Sequence, residues 1–236
     1  KYTNLFNASE MALYAIPIHA AIAYQIPLIF LGENPALTIG EKHGRLDGDA
    51  SEMRKSNTLL GGDADVFKSS EISKNDLHFY NYPPEQDVSH ANLRIVYLGY
   101  YIRDWSGWNN GLFSLAKGLT KRTEPPEHTG DLWGISALDE EFRIVNQYIK
   151  YLKFGFGHVT DQVMERIHAG EMTREEGIKL VKKFDGKCHI SYIKKLCKYL
   201  GITLEEFNKI IDKARNHNIW DKNNKSQWIL KTDYSN

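Results

Sequence analysis

Ile26-Pro27-Leu28-Ile29-Phe30-Leu31-Gly32-Glu33-Asn34-Pro35 is the stretch whose reading decides the fold. It opens with an apolar run, the signature of a strand buried on both faces between helical layers. Gly32 stops the run and polar residues follow. Upstream, residues 8–24 are helix-rich. Pro17 is expected to end one helix and start the next, since proline suits a first turn and removes a donor from a helix interior. A helix feeding a buried strand that ends in glycine and polar side chains predicts an open α/β sheet. Ligands of such sheets lie beyond the carboxyl ends of the strands. Ile95-Val96-Tyr97-Leu98 repeats the pattern, ended by Gly99 and followed by Tyr100, Tyr101 and Arg103.

Working outward, residues 36–92 are glycine-rich, polar and weakly periodic. So long an irregular stretch is usually functional when it belongs to a compact domain. A short helix is expected near residues 112–117. From Ser136 the pattern turns helical, with Phe142, Val145, Ile149 and Leu152 at helical spacing. A second helix is expected from about Thr160 to Gly170. Thr173-Arg174-Glu175-Glu176 and Thr203-Leu204-Glu205-Glu206 are capping boxes that open two more. Ile190, Ile193, Leu196 and Leu200 mark another, stopped by Gly201, and Trp228-Ile229-Leu230 reads as a short strand. The expected organisation is an α/β part over residues 1–135 and a helical lobe over residues 136–236.

In this chain of 236 residues, 30 Lys+Arg balance 30 Asp+Glu, so the net charge gives no sign of nucleic acid or an anionic membrane, and a local basic patch stays open. The most apolar window, residues 12–31, is interrupted by Pro17, His19, Gln25 and Pro27, so no membrane span is expected. No signal-peptide pattern occurs. The two cysteines, Cys188 and Cys197, form neither a plausible disulfide nor a metal pair, and are read as packing residues of a cytoplasmic protein. The histidines show no H-x-x-x-H pair, and neither a Walker A nor a G-x-S-x-G pattern is present.

Lys153-Phe154-Gly155-Phe156-Gly157-His158-Val159-Thr160-Asp161-Gln162 is the segment most suited to chemistry. Alternate glycines before a helix let backbone approach a ligand, and a helix amino terminus favours phosphate or carboxylate. The plainer reading is a helix–helix turn capped by Thr160 or Asp161. Asp161 already puts negative charge at the positive helix end, which suits a hydroxyl or a phosphate-bound magnesium better than a bare anion. Gly32, Glu33 and Asn34 sit where a carboxylate and an amide orient a ribose, a sugar or a magnesium-bound water; equally, they form a turn. Arg54-Lys55-Ser56-Asn57-Thr58 with Gly61-Gly62, and Lys121-Arg122-Thr123-Glu124, suit either anion recognition or a solvated loop. Trp105 and Trp108, which flank Ser106-Gly107, suit either stacking on a sugar or base or packing in the core, and core packing is the preferred reading.

Three segments in order resemble the N-acetyl sugar amidotransferase family of the PP-loop ATP-pyrophosphatases. They are residues 26–34, residues 98–103, and a run through Tyr151–Gly157, Thr160-Asp161-Gln162, Gly170–Gly177 and Leu180–Gly186. The resemblance implies a parallel-sheet PP-loop core of the adenine nucleotide alpha hydrolase-like type, incomplete at its N-terminus here, followed by a helical C-terminal lobe. Family members open with a cysteine-bearing segment and an S-G-G-K-D-S-type loop that grips the pyrophosphate of ATP. This chain opens with Lys1 and a helix, so that segment is expected upstream. The family commonly carries arginine where His158 stands, and a histidine grip on phosphate is pH-dependent.

The activity so implied is conversion of the N-acetyl group of a nucleotide-linked sugar to an acetamidino group, in bacterial surface-polysaccharide (O-antigen) or nonulosonic-acid synthesis. ATP and Mg2+ would be required, and a glutaminase assembly would supply ammonia. Carried over by position, Gly32, Glu33 and Asn34 would border the nucleotide. Lys55, Ser56, Asn57 and Arg122 would meet the substrate, and Gly155, Gly157, His158, Thr160 and Asp161 the sugar nucleotide or ATP. No catalytic acid or base is identifiable. Other readings are a different PP-loop enzyme (tRNA thiolation or amide synthesis) and a non-catalytic interaction module.

Overall fold

The computed structural model describes residues 4–38, 45–56, 59, 61–102 and 104–231. The fold is α/β with helix predominating, in two compact units: Phe6–Ser106, and Lys1–Leu5 with Gly107–Asn236.

In the first unit, helix α1 (Asn7–Ala23) runs straight through Pro17, so the expected break does not occur. Met11, Ala15, Ile18 and Ala21 are buried at helical spacing on both sides of the proline. Burial of each large side chain contributes about 1.5–3 kcal/mol, enough together to offset the roughly 3 kcal/mol that proline costs a helix interior. Strand β1 (Leu28–Leu31) pairs in parallel with β2 (Arg94–Tyr97), Leu28 opposite Arg94 and Leu31 opposite Tyr97. Helix α2 (Glu85–His90) leads into β2. Ile29, Leu31, Ile95 and Tyr97 join Met11 and Ile18 in a core that also takes Met53, Leu59 and Leu77. Much of the described part of residues 36–92 is thus packed, through short turns of 3-10 helix, rather than irregular.

The other face of β1 departs from expectation: Leu28 is 38% and Phe30 60% exposed. The outer edge of β2 is taken by residues 48–50, where the Tyr97 amide donates to the Gly48 carbonyl (2.9 Å) and the Ala50 amide to that of Ile95 (3.0 Å). Among the described residues no strand pairs with the outer edge of β1.

The second unit contains α3 (Gly107–Ala116), α4 (Phe142–Phe154), α5 (His158–His168), α6 (Arg174–Phe184), α7 (Ile190–Leu200) and α8 (Leu204–Ala214). An antiparallel hairpin of β3 (Trp220–Lys222) and β4 (Trp228–Leu230) follows. Helix α3 starts at Gly107, well before residue 112, and Gly111 lies against Ile135 where a Cβ would clash. Val145, Ile149 and Leu152 of α4 meet Ile193, Leu196, Phe207, Ile211 and Trp220 in the main core. Val159, Val163, Val181 and Phe184 tie α5 to α6. Both capping boxes form, Thr173 with Glu176 and Thr203 with Glu206. Both cysteines are free, and burial pushes the Cys188 thiol up to about 12, so it is not a nucleophile near neutral pH. No described helix is long and apolar enough to cross a membrane.

Leu196 is among the largest fully buried side chains. Leu196→Ala is expected to lower unfolding free energy by about 3 kcal/mol in denaturant titration, against about 1 kcal/mol for Thr203→Ala, which removes only a cap.

Candidate functional site

The turn between α4 and α5 is built around a carboxylate from elsewhere in the chain. Asp185, buried just after α6, accepts from the Gly157 amide (2.8 Å), the Val159 amide (3.1 Å) and the Thr160 hydroxyl (2.6 Å). The start of α5 therefore holds an anion, as its exposed amides and helix dipole favour, and that anion belongs to the protein. The two glycines serve this turn in different ways. Gly155 ends α4 at φ +81°, a left-handed conformation. Gly157 has an ordinary φ, but a Cβ there would stand 2.6 Å from Asp185 Oδ1.

His158 Nε2 lies 3.3 Å from the Ser136 hydroxyl. Burial lowers the imidazole pKa to about 4; the Arg143 charge adds to this, Asp131 opposes it and Lys150 adds again. At neutral pH the ring is uncharged and cannot replace an arginine cation. Asp161 pairs with Lys150 at 2.6 Å in a half-buried contact. Burial raises the Asp161 pKa in spite of that lysine. Beneath them, Asp131 accepts from the Trp133 and Gly134 amides and, at 2.6 Å, from the Gln162 side chain. Gln162 in turn accepts from the Leu132 amide, which fixes residues 131–134 against α5. The Arg122 guanidinium donates to the Ala137 carbonyl at 3.1 Å, and its amide to that of Gly134. Arg122 and His158 thus hold neighbouring points of the strap at residues 136–137. The structure brings Gly155, Gly157, His158, Thr160 and Asp161 together.

In the first unit, Gly32, Glu33 and Asn34 do follow the carboxyl end of β1. The Gly32 carbonyl accepts from the Gly99 amide (2.8 Å), and the Trp105 ring packs against both glycines. Asn34 is buried and donates to the Arg45 and Asp47 carbonyls while accepting from the Ala36 amide, so its side chain closes a loop. Glu33 is exposed. Lys55 lies elsewhere. It pairs with Glu52 and lines a cavity of about 480 Å³ with Arg54, Tyr82 and Arg94, at the amino end of β2. Lys55 and Glu33 are therefore at opposite ends of the sheet. Ser56 accepts from the Leu59 amide, and Asn57 lies outside the described residues.

The described residues include no group of three or more His, Cys, Asp or Glu side chains placed to hold a metal ion. Magnesium that arrives with a nucleotide is usually held by phosphate oxygens, waters and one or two carboxylates. Sequence reasoning missed Asp185, which stands in the third segment of the resemblance but reads there as an ordinary helix stop before Gly186. It also missed Lys150 and the Asp131–Gln162 pair, which no local pattern marks.

Residues 136–233 match the family model described as LPS biosynthesis protein WbpG-like, C-terminal domain. The chain is similar to that family over this span, which runs from α4 through β4 and contains Asp185 with all the groups it binds. No curated protein matches the chain.

Asp185→Ala removes a buried charged acceptor from three donors and is expected to cost about 3 kcal/mol of stability in urea titration, with Gly157→Ala costing about 1–2 kcal/mol. His158 gives a pH signature. An unfolded histidine titrates near 6.5 and the folded one at about 4, so between these values the unfolded chain binds more protons. Its contribution is complete above about pH 6.5 and is lost as the pH falls towards 4. His158→Gln is expected to shrink the stability difference between about pH 7 and pH 4.5 by on the order of 2 kcal/mol, read from denaturant midpoints at each pH.

Proposed function

We propose that this chain acts in bacterial lipopolysaccharide (O-antigen) synthesis, as part of an ATP-dependent amidotransferase that converts an N-acetyl group of a nucleotide-linked sugar to an acetamidino group. The observation that carries the pathway is the match of residues 136–233 to a lipopolysaccharide-biosynthesis domain. The reaction rests on the three resembling segments. A supporting feature is the exposed Leu28 and Phe30 face of β1 and its outer edge, with which no strand pairs among the described residues, since parallel sheets are ordinarily covered on both faces. Further strands, bearing the pyrophosphate-gripping loop, would pair there and complete a PP-loop core. The proposed setting is the cytoplasm, where ATP is available.

The acetamido oxygen attacks the α-phosphorus of ATP, and pyrophosphate leaves. Ammonia then attacks the imidate carbon, AMP departs with the former amide oxygen, and the amidine remains after proton loss. A glutaminase partner would deliver ammonia, which is almost wholly protonated in neutral water. In this scheme Glu33 orients the nucleotide or its magnesium at the sheet edge. The α4–α5 turn meets the sugar nucleotide, with neutral His158 as a hydrogen-bonding group rather than a cation. Arg122 and Asn34 act by holding loops, and the cavity beside Lys55 and Arg94 lies away from the nucleotide edge.

The test is to incubate the full-length protein with a nucleotide-linked N-acetyl sugar, ATP, magnesium and ammonium, and to follow AMP and sugar mass together. Equal yields of AMP and of a product with NH in place of oxygen are expected; AMP release without amidine contradicts the reading. Glu33→Gln should lower turnover by roughly tenfold or more with the melting temperature unchanged.

A further inference from the structure

Two phenylalanines at the α4–α5 turn are left in solvent, Phe154 56% and Phe156 40% exposed. Their rings lie 6.2 Å apart and are tilted by 39°. Each has a lysine beside it: Lys153 Nζ is 5.3 Å from the Phe154 ring, and Lys150 Nζ is 4.7 Å from that of Phe156. The backbone that presents them is fixed. Gly155 is left-handed with its amide bonded to the Tyr151 carbonyl, and Gly157 is bonded to Asp185. Ile219 and Leu230 press on Gly155 from the hairpin side. A rigid turn that displays two aromatic rings with paired cations is costly to leave in water, and it suits a ligand that is flat at one end and anionic at the other.

We propose that Phe154, Phe156, Lys150 and Lys153 form the platform for the nucleoside diphosphate portion of the substrate. This inference rests on the nucleotide-linked sugar reading above, and it adds the residues that recognise the nucleotide. The base stacks on an exposed ring and Lys153 meets the diphosphate, while Lys150, already paired with Asp161, supports the Phe156 ring. The backbone amides at the start of α5 do not take the phosphates, because Asp185 already occupies them. A sugar can stack its C–H face on a ring but brings no charge to the lysines, so the cations point to the nucleotide diphosphate half of the substrate. The tilt between the rings leaves one of them to stack the base and the other to flank it.

The experiment is an equilibrium titration of the full chain with UDP and GDP, with pyrophosphate and ribose 5-phosphate as probes that lack a base. Both nucleotides should bind more tightly than pyrophosphate. Phe154→Ala and Phe156→Ala should weaken nucleotide binding, by roughly tenfold for whichever ring carries the base, and leave pyrophosphate unaffected. Lys153→Met should weaken nucleotides and pyrophosphate alike. Phe154 and Phe156 are exposed and Lys153 is half-buried, so melting temperatures should hold for the two phenylalanine variants, and the Lys153→Met result is read only beside its own melting curve. The proposal is overturned if neither nucleotide binds at millimolar concentration, or if binding ignores both phenylalanine substitutions. It is equally overturned if the chain is a dimer that Phe154→Ala dissociates, since the patch would then be an interface between copies. None of these readouts needs ATP or turnover. An enzyme that amidinated a sugar carrying no nucleotide equally well would sink this inference while leaving the proposed reaction intact.

Discussion

Asp185 leaves the end of α6 and sets its carboxylate against two backbone amides and a hydroxyl at the start of α5. A helix start carries donors with no partner inside the helix and a positive end of the dipole, so something must fill it. Here the filling group comes from a distant point in the chain, and it ties α4, α5 and α6 at one place. The consequences follow in order. Position 157 favours glycine, because a Cβ would push the carboxylate out of place. The chain before it must turn sharply, and left-handed Gly155 provides the turn. The side chains between and beside the two glycines then have nowhere to pack, and Phe154 and Phe156 face solvent beside their lysines.

The same constraint changes the chemistry open to the turn. A phosphate cannot use amides that a carboxylate already holds, and His158, neutral near pH 7, supplies no cation. Positive charge at this turn comes from Arg143, Lys150 and Lys153. Lys150 is divided between Asp161 and the Phe156 ring, which places an ion pair directly under the aromatic surface. In the first unit the governing constraint is different. A parallel pair needs cover on both faces, and β1 has it on one, through α1.

Much of this was legible in residue spacing. The capping boxes at Thr173 and Thr203, the stop at Gly201 and the existence of both strands follow from local rules, though the second strand ends at Tyr97 and Gly99 falls inside the helical turn Leu98–Tyr101. Pro17 was misleading, because its cost is local while the burial that overrides it comes from the sheet and the 3-10 turn at His78–Tyr80 packed on the helix. The β1 run was misread on exposure for a related reason: an apolar run records what a strand is suited to, not which neighbours are present. Glu33 and Lys55 both looked ready for a ligand, yet parallel pairing sends them to opposite ends of the sheet, a fact of topology that no window of sequence contains. Asp185 was missed because its partners lie about seven helical turns away in sequence, and a long-range cap has no periodic signature.

The account turns on whether the start of α5 is filled by Asp185 before any ligand arrives. Amide hydrogen exchange at Gly157 and Val159, followed residue by residue in the ligand-free protein, tests this directly. Slow exchange at both positions, unchanged by added pyrophosphate and lost in Asp185→Ala, is the predicted result. Fast exchange that slows only when pyrophosphate is added would mean that the helix start is an open anion site, and would contradict the account.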